Sequence, residues 1–162
     1  MTIWARRDMF GKLAALGGLA TLAAATSAKA QALRKRFIKR ERPELSGYSL
    51  AVITEGAGRT IWLAGQTGAV DSSGKSLAGD IDAQVRQVFA NLAATLEEAG
   101  GKLSDMVTMT VFLTDPRNHP RMTAIRREIF GKDFPASASI GISHLANPNA
   151  LIEIQGVAVV PA

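Results

Sequence analysis

The chain has 162 residues, no cysteine and a formal net charge of +5. Without cysteine, disulfide bonds and thiol chemistry are excluded outright. The positive charge is confined to the start: residues 1–30 carry Arg6, Arg7, Lys12 and Lys29 against Asp8, residues 31–42 carry six bases against Glu41, and residues 43–162 carry nine bases against twelve acids. The bulk of the chain is thus mildly acidic, which argues against a nucleic-acid partner.

In chain order, a charged start, an apolar stretch from Leu13 to Ala25 and Ala28-Lys29-Ala30 form the three parts of an export signal cleaved after Ala30. The apolar stretch falls short of the roughly 20 residues a spanning helix needs, so no membrane anchor is expected. Arg6-Arg7 followed by Asp8-Met9-Phe10-Gly11-Lys12 resembles a twin-arginine signal, with an ordinary unfolded-export signal as the alternative. Either places the mature protein outside the cytoplasm, in the periplasm. Residues 31–46, with Arg34-Lys35-Arg36, Lys39, Arg40 and Arg42, read as a solvated basic tail, and residues 47–162 as a single domain.

Within that domain, Ser49 to Thr54 and Thr60 to Ala64 read as strands joined by Glu55-Gly56-Ala57-Gly58, which predicts a hairpin. Ile81, Val85, Val88, Phe89, Leu92, Leu96 and Ala99 recur at helical spacing, and Gly100-Gly101 ends that helix. Met106 to Thr114 is β-branched and strand-like, closed by Asp115-Pro116-Arg117-Asn118. A shorter helix is predicted over Arg121 to Phe130. Two more strands, Ala136 to Ile142 and Leu151 to Val160, are separated by Asn147-Pro148-Asn149. The order β-β-α-β-α-β-β predicts an α+β fold with two helices on one face of a mixed sheet. Two helices cover one face only, so the other must be polar or buried by oligomerisation.

Common chemical motifs are missing: no G-x-G-x-x-G after a strand, no P-loop, no G-x-S-x-G. His119 and His144 lack ligand spacing, so they read as surface or capping residues and no metal is expected. Other segments do form a pattern: Leu63-Ala64-Gly65-Gln66-Thr67-Gly68, a helix with Gln84, Asn91 and Ala99-Gly100, Val107 through Asp115, Phe134-Pro135-Ala136-Ser137, and Ile152-Glu153-Ile154. Together, over Tyr48 to Val160, they resemble the reactive intermediate deaminase family, also called Rid or YjgF-like.

The resemblance implies a chorismate-mutase-like α+β fold, a homotrimer whose sheets form a central barrel, and ligand clefts between subunits. It implies hydrolysis of a small enamine or imine to a carbonyl compound and ammonia, without metal or organic cofactor. Tyr48 matches an aromatic bordering the cleft, Gly65 a glycine whose backbone approaches the ligand, and Glu153 the carboxylate associated with the water. Ser137 stands where active deaminases carry an arginine for the substrate carboxylate, Ser139 where a cysteine is frequent, and Thr123 where some members have asparagine. A hydroxyl offers one neutral donor in place of a charged fork, so that route to carboxylate binding is lost.

Strand alternation puts Ser137, Ser139 and Gly141 toward a small neutral pocket and Ala138, Ile140 and Ile142 toward the core. On the last strand it separates Glu153 and Gln155 from Ile152 and Ile154. Arg126 and Arg127 read as solvated helix charges, with Arg126 the alternative source of a guanidinium. Two functions fit these residues, an imine or enamine hydrolase resting on Glu153 and Gly65, and a non-catalytic trimer that binds a small metabolite or protects partner proteins, resting on Ser137. RNA cleavage, sometimes attributed to the family, is opposed by the acidic domain and the expected export.

Overall fold

The structure is a computed structural model and describes residues 31–39 and 41–162; the expected export signal, residues 1–30, lies outside them. The elements are β1 (Arg34–Ile38), α1 (Pro43–Ser46), β2 (Ala51–Glu55), β3 (Gly58–Thr67), α2 (Ile81–Glu98), β4 (Met106–Leu113), α3 (His119–Phe130), β5 (Ala136–Gly141) and β6 (Ile152–Pro161). From β2 onward the expected β-β-α-β-α-β-β order is present. Strands β3, β6, β4 and β5 lie side by side in that order, with β4 and β5 parallel and the other pairs antiparallel.

Helix α2 begins where Asp80, in extended backbone, accepts a hydrogen bond from Ala83 N at 3.0 Å. It ends in a Schellman pattern, Gly100 N to Glu97 O and Gly101 N to Leu96 O, with Gly100 at φ +76°. Its buried stripe, Val85, Val88, Phe89, Leu92 and Leu96, meets Met109, Val111, Ile152 and Ile154 of the sheet in one core. Helix α3 adds Met122 and Ile125, and Phe130 meets Phe89 edge-to-face at 5.7 Å.

Alternation along the strands separates two sheet faces. Ile152, Ile154 and Ala158 of β6 point to the helices and are buried, whereas Glu153 is half-buried and Gln155 exposed on the other side, as expected. On that open face Trp62 is 80% exposed and stands opposite Val157, while Ile140 is 43% exposed.

Two expectations fail. The two strands around residues 55–58 form, but not as a hairpin: β2 pairs with β1 and β3 pairs with β6, and no ladder joins β2 to β3 among the described residues. The partner β2 takes is the segment expected as a solvated tail. Arg34-Lys35-Arg36-Phe37-Ile38 forms a strand whose exposed and half-buried positions alternate, with Lys35 and Phe37 on the half-buried side. Lys35 bonds Asp105 at 2.6 Å, in a pair whose side chains are 15% and 11% exposed. Asp105 also accepts from Lys102 N.

Candidate active site

The residues singled out from the sequence fall into two groups, on opposite faces of the sheet. Glu153 and Gly65 form the first, on the open face. Glu153 sits on β6 between Thr67 of β3 and Phe112 of β4. The β3–β6 register shifts between Leu63 and Gln66, so Ala64 and Gly65 make a bulge. A bulge re-aims the strand locally, and here it presses the Gly65 backbone against the carboxylate. A Cβ built on Gly65 would overlap Glu153 Oε1 and lie 2.8 Å from its Cδ, so a side chain there would force the carboxylate out of its present position.

Side-chain amides hold both strands in place. Asn91 Nδ2 of α2 donates to Thr67 O at 3.0 Å, and Gln87 Nε2 donates to Asn91 Oδ1 at 2.7 Å. Gln84, fully buried, donates to Leu77 O and Asn149 O and accepts from Leu151 N at 2.8 Å. Glu153 therefore follows closely after a point where the chain is pinned to α2.

Tyr48, Thr123, Ser137 and Ser139 form the second group, on the helix side of β5 and around the start of α3. Ser49 N bonds Pro135 O, and Ser49 Oγ bonds Phe134 O at 2.6 Å, which carries Tyr48 to the head of β5. Register places Ser137 beside Met109 and Ser139 beside Val111, both of which are buried on the helix face. Ala138 and Ile140, expected in the core, are exposed on the open face instead. The alternation is as read, but on this edge strand the small residues take the helix side, where α3 packs close.

Ser137 does not face a neutral pocket. Arg126 Nη1 donates to Ser137 Oγ at 3.0 Å, and Nη2 donates to Ser46 O at 3.3 Å. Arg126, expected as a solvated charge, is 1% exposed. Burial drives its pKa down to about 10, with the nearby Tyr48 opposing the shift. At 1.36 kcal/mol per decade this corresponds to a burial cost on the order of 3 kcal/mol. Its position was legible: Arg126 follows Met122 by one helical turn and flanks Ile125, both in the core.

A recess of about 440 Å³ opens over this group, lined by Tyr48, His119, Pro120, Thr123 and Arg127 among others. An adjoining one of about 330 Å³ is bounded by His119, Ser139, Ile140 and Gly141. His119 borders both. Partial burial, and secondarily the Arg126 charge, lower its pKa from the ordinary value, which favours a neutral imidazole. From the sequence His119, lacking ligand spacing, reads as a surface or capping residue. Among the described residues no cluster of three His, Asp or Glu side chains is placed to hold a metal ion.

Within one chain the two groups do not meet. Glu153 lies level with Phe112 and Ile140, so Ser137 is three residues along and two strands across, on the other face. Two strand spacings alone amount to about 10 Å.

Residues 39–160 match the family model described as endoribonuclease L-PSP. The chain belongs to this family, the Rid or YjgF-like proteins. Among its Rid relatives is the 2-iminobutanoate/2-iminopropanoate deaminase of Homo sapiens, 32% identical over 69% of this chain and 79% of that protein. A RutC family protein of Pyrococcus horikoshii is 37% identical over 63% of this chain and 80% of its own length. A Rid family protein of unknown function from Yersinia pestis has a solved structure with TM-score 0.69 and 33% identity, covering 78% of this chain and 98% of that one. The Rid assignment thus agrees with the α+β fold described above.

Proposed function

We propose that the protein hydrolyses a small imine or enamine to a carbonyl compound and ammonia, at sites shared between subunits of a homotrimer. The observation that carries this reading is the Glu153 carboxylate held against the Gly65 backbone, next to a sheet face that one chain leaves uncovered. In the reaction, Glu153 takes a proton from water as the oxygen adds to the C=N carbon. That proton passes to the nitrogen to give the carbinolamine, whose hydroxyl proton then moves to nitrogen as the C–N bond breaks, so ammonia leaves, C=O remains and one water is consumed for each ammonia released. No cofactor enters this balance. Relatives named 2-iminobutanoate/2-iminopropanoate deaminase support the same reaction class.

The placement of the two halves supports a trimer. Trp62, Val157 and Ile140 make the open face apolar enough to pack against a second copy. Packing of that kind brings the Glu153 half of one subunit near the Tyr48, Thr123, Ser137 and Ser139 half of another. Ser137 in place of arginine favours a second reading, a trimer that binds a metabolite in the same clefts without turning it over.

The deciding experiment generates 2-aminoacrylate or 2-iminobutanoate enzymatically and follows 2-oxo acid release with and without the purified protein. Acceleration that disappears in Glu153→Gln supports the hydrolase. Binding of the 2-oxo acid without acceleration supports the second reading. We also propose that the protein is exported and works in the periplasm as residues 31–162; cell fractionation and the amino-terminal sequence of the mature chain test this, and a periplasmic chain starting at Met1 would refute cleavage.

A further inference from the structure

The carbinolamine through which an imine is hydrolysed carries its hydroxyl and its nitrogen on the same carbon. Before ammonia can leave, the hydroxyl proton has to reach that nitrogen, and direct transfer between the two atoms passes through a strained four-membered ring. A side chain that takes the proton from oxygen and returns it to nitrogen removes the strain. A neutral imidazole does both near neutral pH. Glu153 is engaged with the proton of the attacking water, on the other half of the site.

His119, the first residue of α3, stands where such a group is needed. It borders both recesses of the Tyr48 half, with Tyr48 and Thr123 on one side and Ser139 and Gly141 on the other. Its ring is accessible, and among the described residues neither ring nitrogen has a hydrogen-bond partner. The other histidine differs on both counts: His144 Nδ1 meets Ser143 Oγ at 2.9 Å, and His144 lines neither recess. The surroundings favour the proton-accepting ring. Among the described residues no carboxylate lines either recess, Arg127 and Tyr48 face His119 across the larger one, and the Arg126 charge lies near. The carboxylate just before α3, Asp115, is held by Arg117.

We propose that His119 is a catalytic residue of the imine hydrolysis and shuttles the proton in the carbinolamine step. A ring nitrogen takes the hydroxyl proton as the O–H electron pair becomes the second C–O bond. It passes that proton to the nitrogen, which leaves as ammonia with the C–N pair, and the ring ends as it began. The inference rests on the hydrolase reading and divides its labour: Glu153 serves water addition, His119 serves ammonia departure.

The test follows hydrolysis of enzymatically generated 2-iminobutanoate by the mature protein. His119→Gln is expected to lower kcat about 100-fold and to leave pyruvate binding, measured by calorimetry, unchanged. Added imidazole is expected to raise the rate of His119→Ala and not that of the wild type. Wild-type kcat is expected to fall as pH drops through the titration of the His119 ring, followed by nuclear magnetic resonance, and this limb is expected to be missing in His119→Gln. Wild-type kcat in His119→Gln, with Glu153→Gln inactive, overturns the shuttle and leaves the hydrolase reading standing. Pyruvate binding lost together with activity also overturns the shuttle, since His119 is then a wall of the binding site. A wild type that does not hydrolyse the imine overturns the hydrolase reading and the shuttle with it.

Discussion

The Glu153 carboxylate rests against the bare backbone of Gly65, at a bulge where the β3–β6 register slips between Leu63 and Gln66. Two strands thus present one carboxylate at a fixed place on an otherwise uncovered sheet face. A methyl group at position 65 displaces that carboxylate by about its own size. Gly65→Ala is therefore expected to lower kcat/KM for imine hydrolysis by roughly 100-fold, the penalty of a misplacement near 1 Å. Far-ultraviolet circular dichroism should stay unchanged, since Gly65 is exposed. Wild-type rates in this variant would show that Glu153 has no fixed role.

Arg126 is a buried cation whose burial works against stability. Replacing it by an apolar side chain of similar length removes the burial cost, while the neutral oxygens it contacts lose one donor each. Arg126→Met is expected to melt at the wild-type temperature or a few degrees above it. Differential scanning calorimetry checks this. A fall of many degrees would make Arg126 a structural strut between α3 and β5.

The His119 ring should titrate below its ordinary value of 6.5, chiefly because it is partly buried and secondarily because Arg126 is near. With the folded pKa depressed, the unfolded chain binds the proton first. The stability this residue contributes is thus present above about pH 6.5 and is lost as pH falls toward the folded value. Nuclear magnetic resonance titration of the imidazole measures the shift directly. In Arg126→Met it should shrink without vanishing, since burial is its larger cause. A ring titrating at or above 6.5 contradicts this account of the recess.

Strand β1 is tied down through Lys35 and Asp105, both largely buried. Asp105→Ala leaves the ammonium unpaired and also removes the acceptor for Lys102 N. A destabilisation of about 2 kcal/mol in urea unfolding is expected, well above the value of an exposed ion pair. Behaviour within a few tenths of wild type would return residues 34–38 to the solvated tail that their charge predicted.

The fold was largely legible because its signals are local. The helical spacing from Ile81 to Leu96 with Gly100-Gly101 behind it gives α2 outright, and Asp115-Pro116 marks the end of β4. Strand partnership was not legible. The turn Glu55–Gly58 resembles a hairpin, but β2 pairs with a strand hidden in the basic run, where charge masked the alternation of Lys35 and Phe37. At the site, Glu153 and Gly65 emerged from pattern matching alone, and the bulge that joins them has no sequence mark beyond the glycine. Ser137 was correctly seen as lacking a guanidinium. The guanidinium beside it comes from a residue eleven positions earlier, through a contact that only the packing of α3 on β5 creates.

Under the proposed function, Glu153 of one subunit and the Tyr48 side of another act in one site. Subunit complementation tests it most directly: Glu153→Gln and Tyr48→Ala proteins, each expected to be inactive in imine hydrolysis, are unfolded together in equal amounts and refolded as mixed oligomers. If each site draws on two subunits of a closed ring, random mixing restores an intact pair at about a quarter of the interfaces, and activity returns to about that fraction of wild type. Mixed oligomers, verified by native mass spectrometry, that remain as inactive as their parents would contradict the shared site.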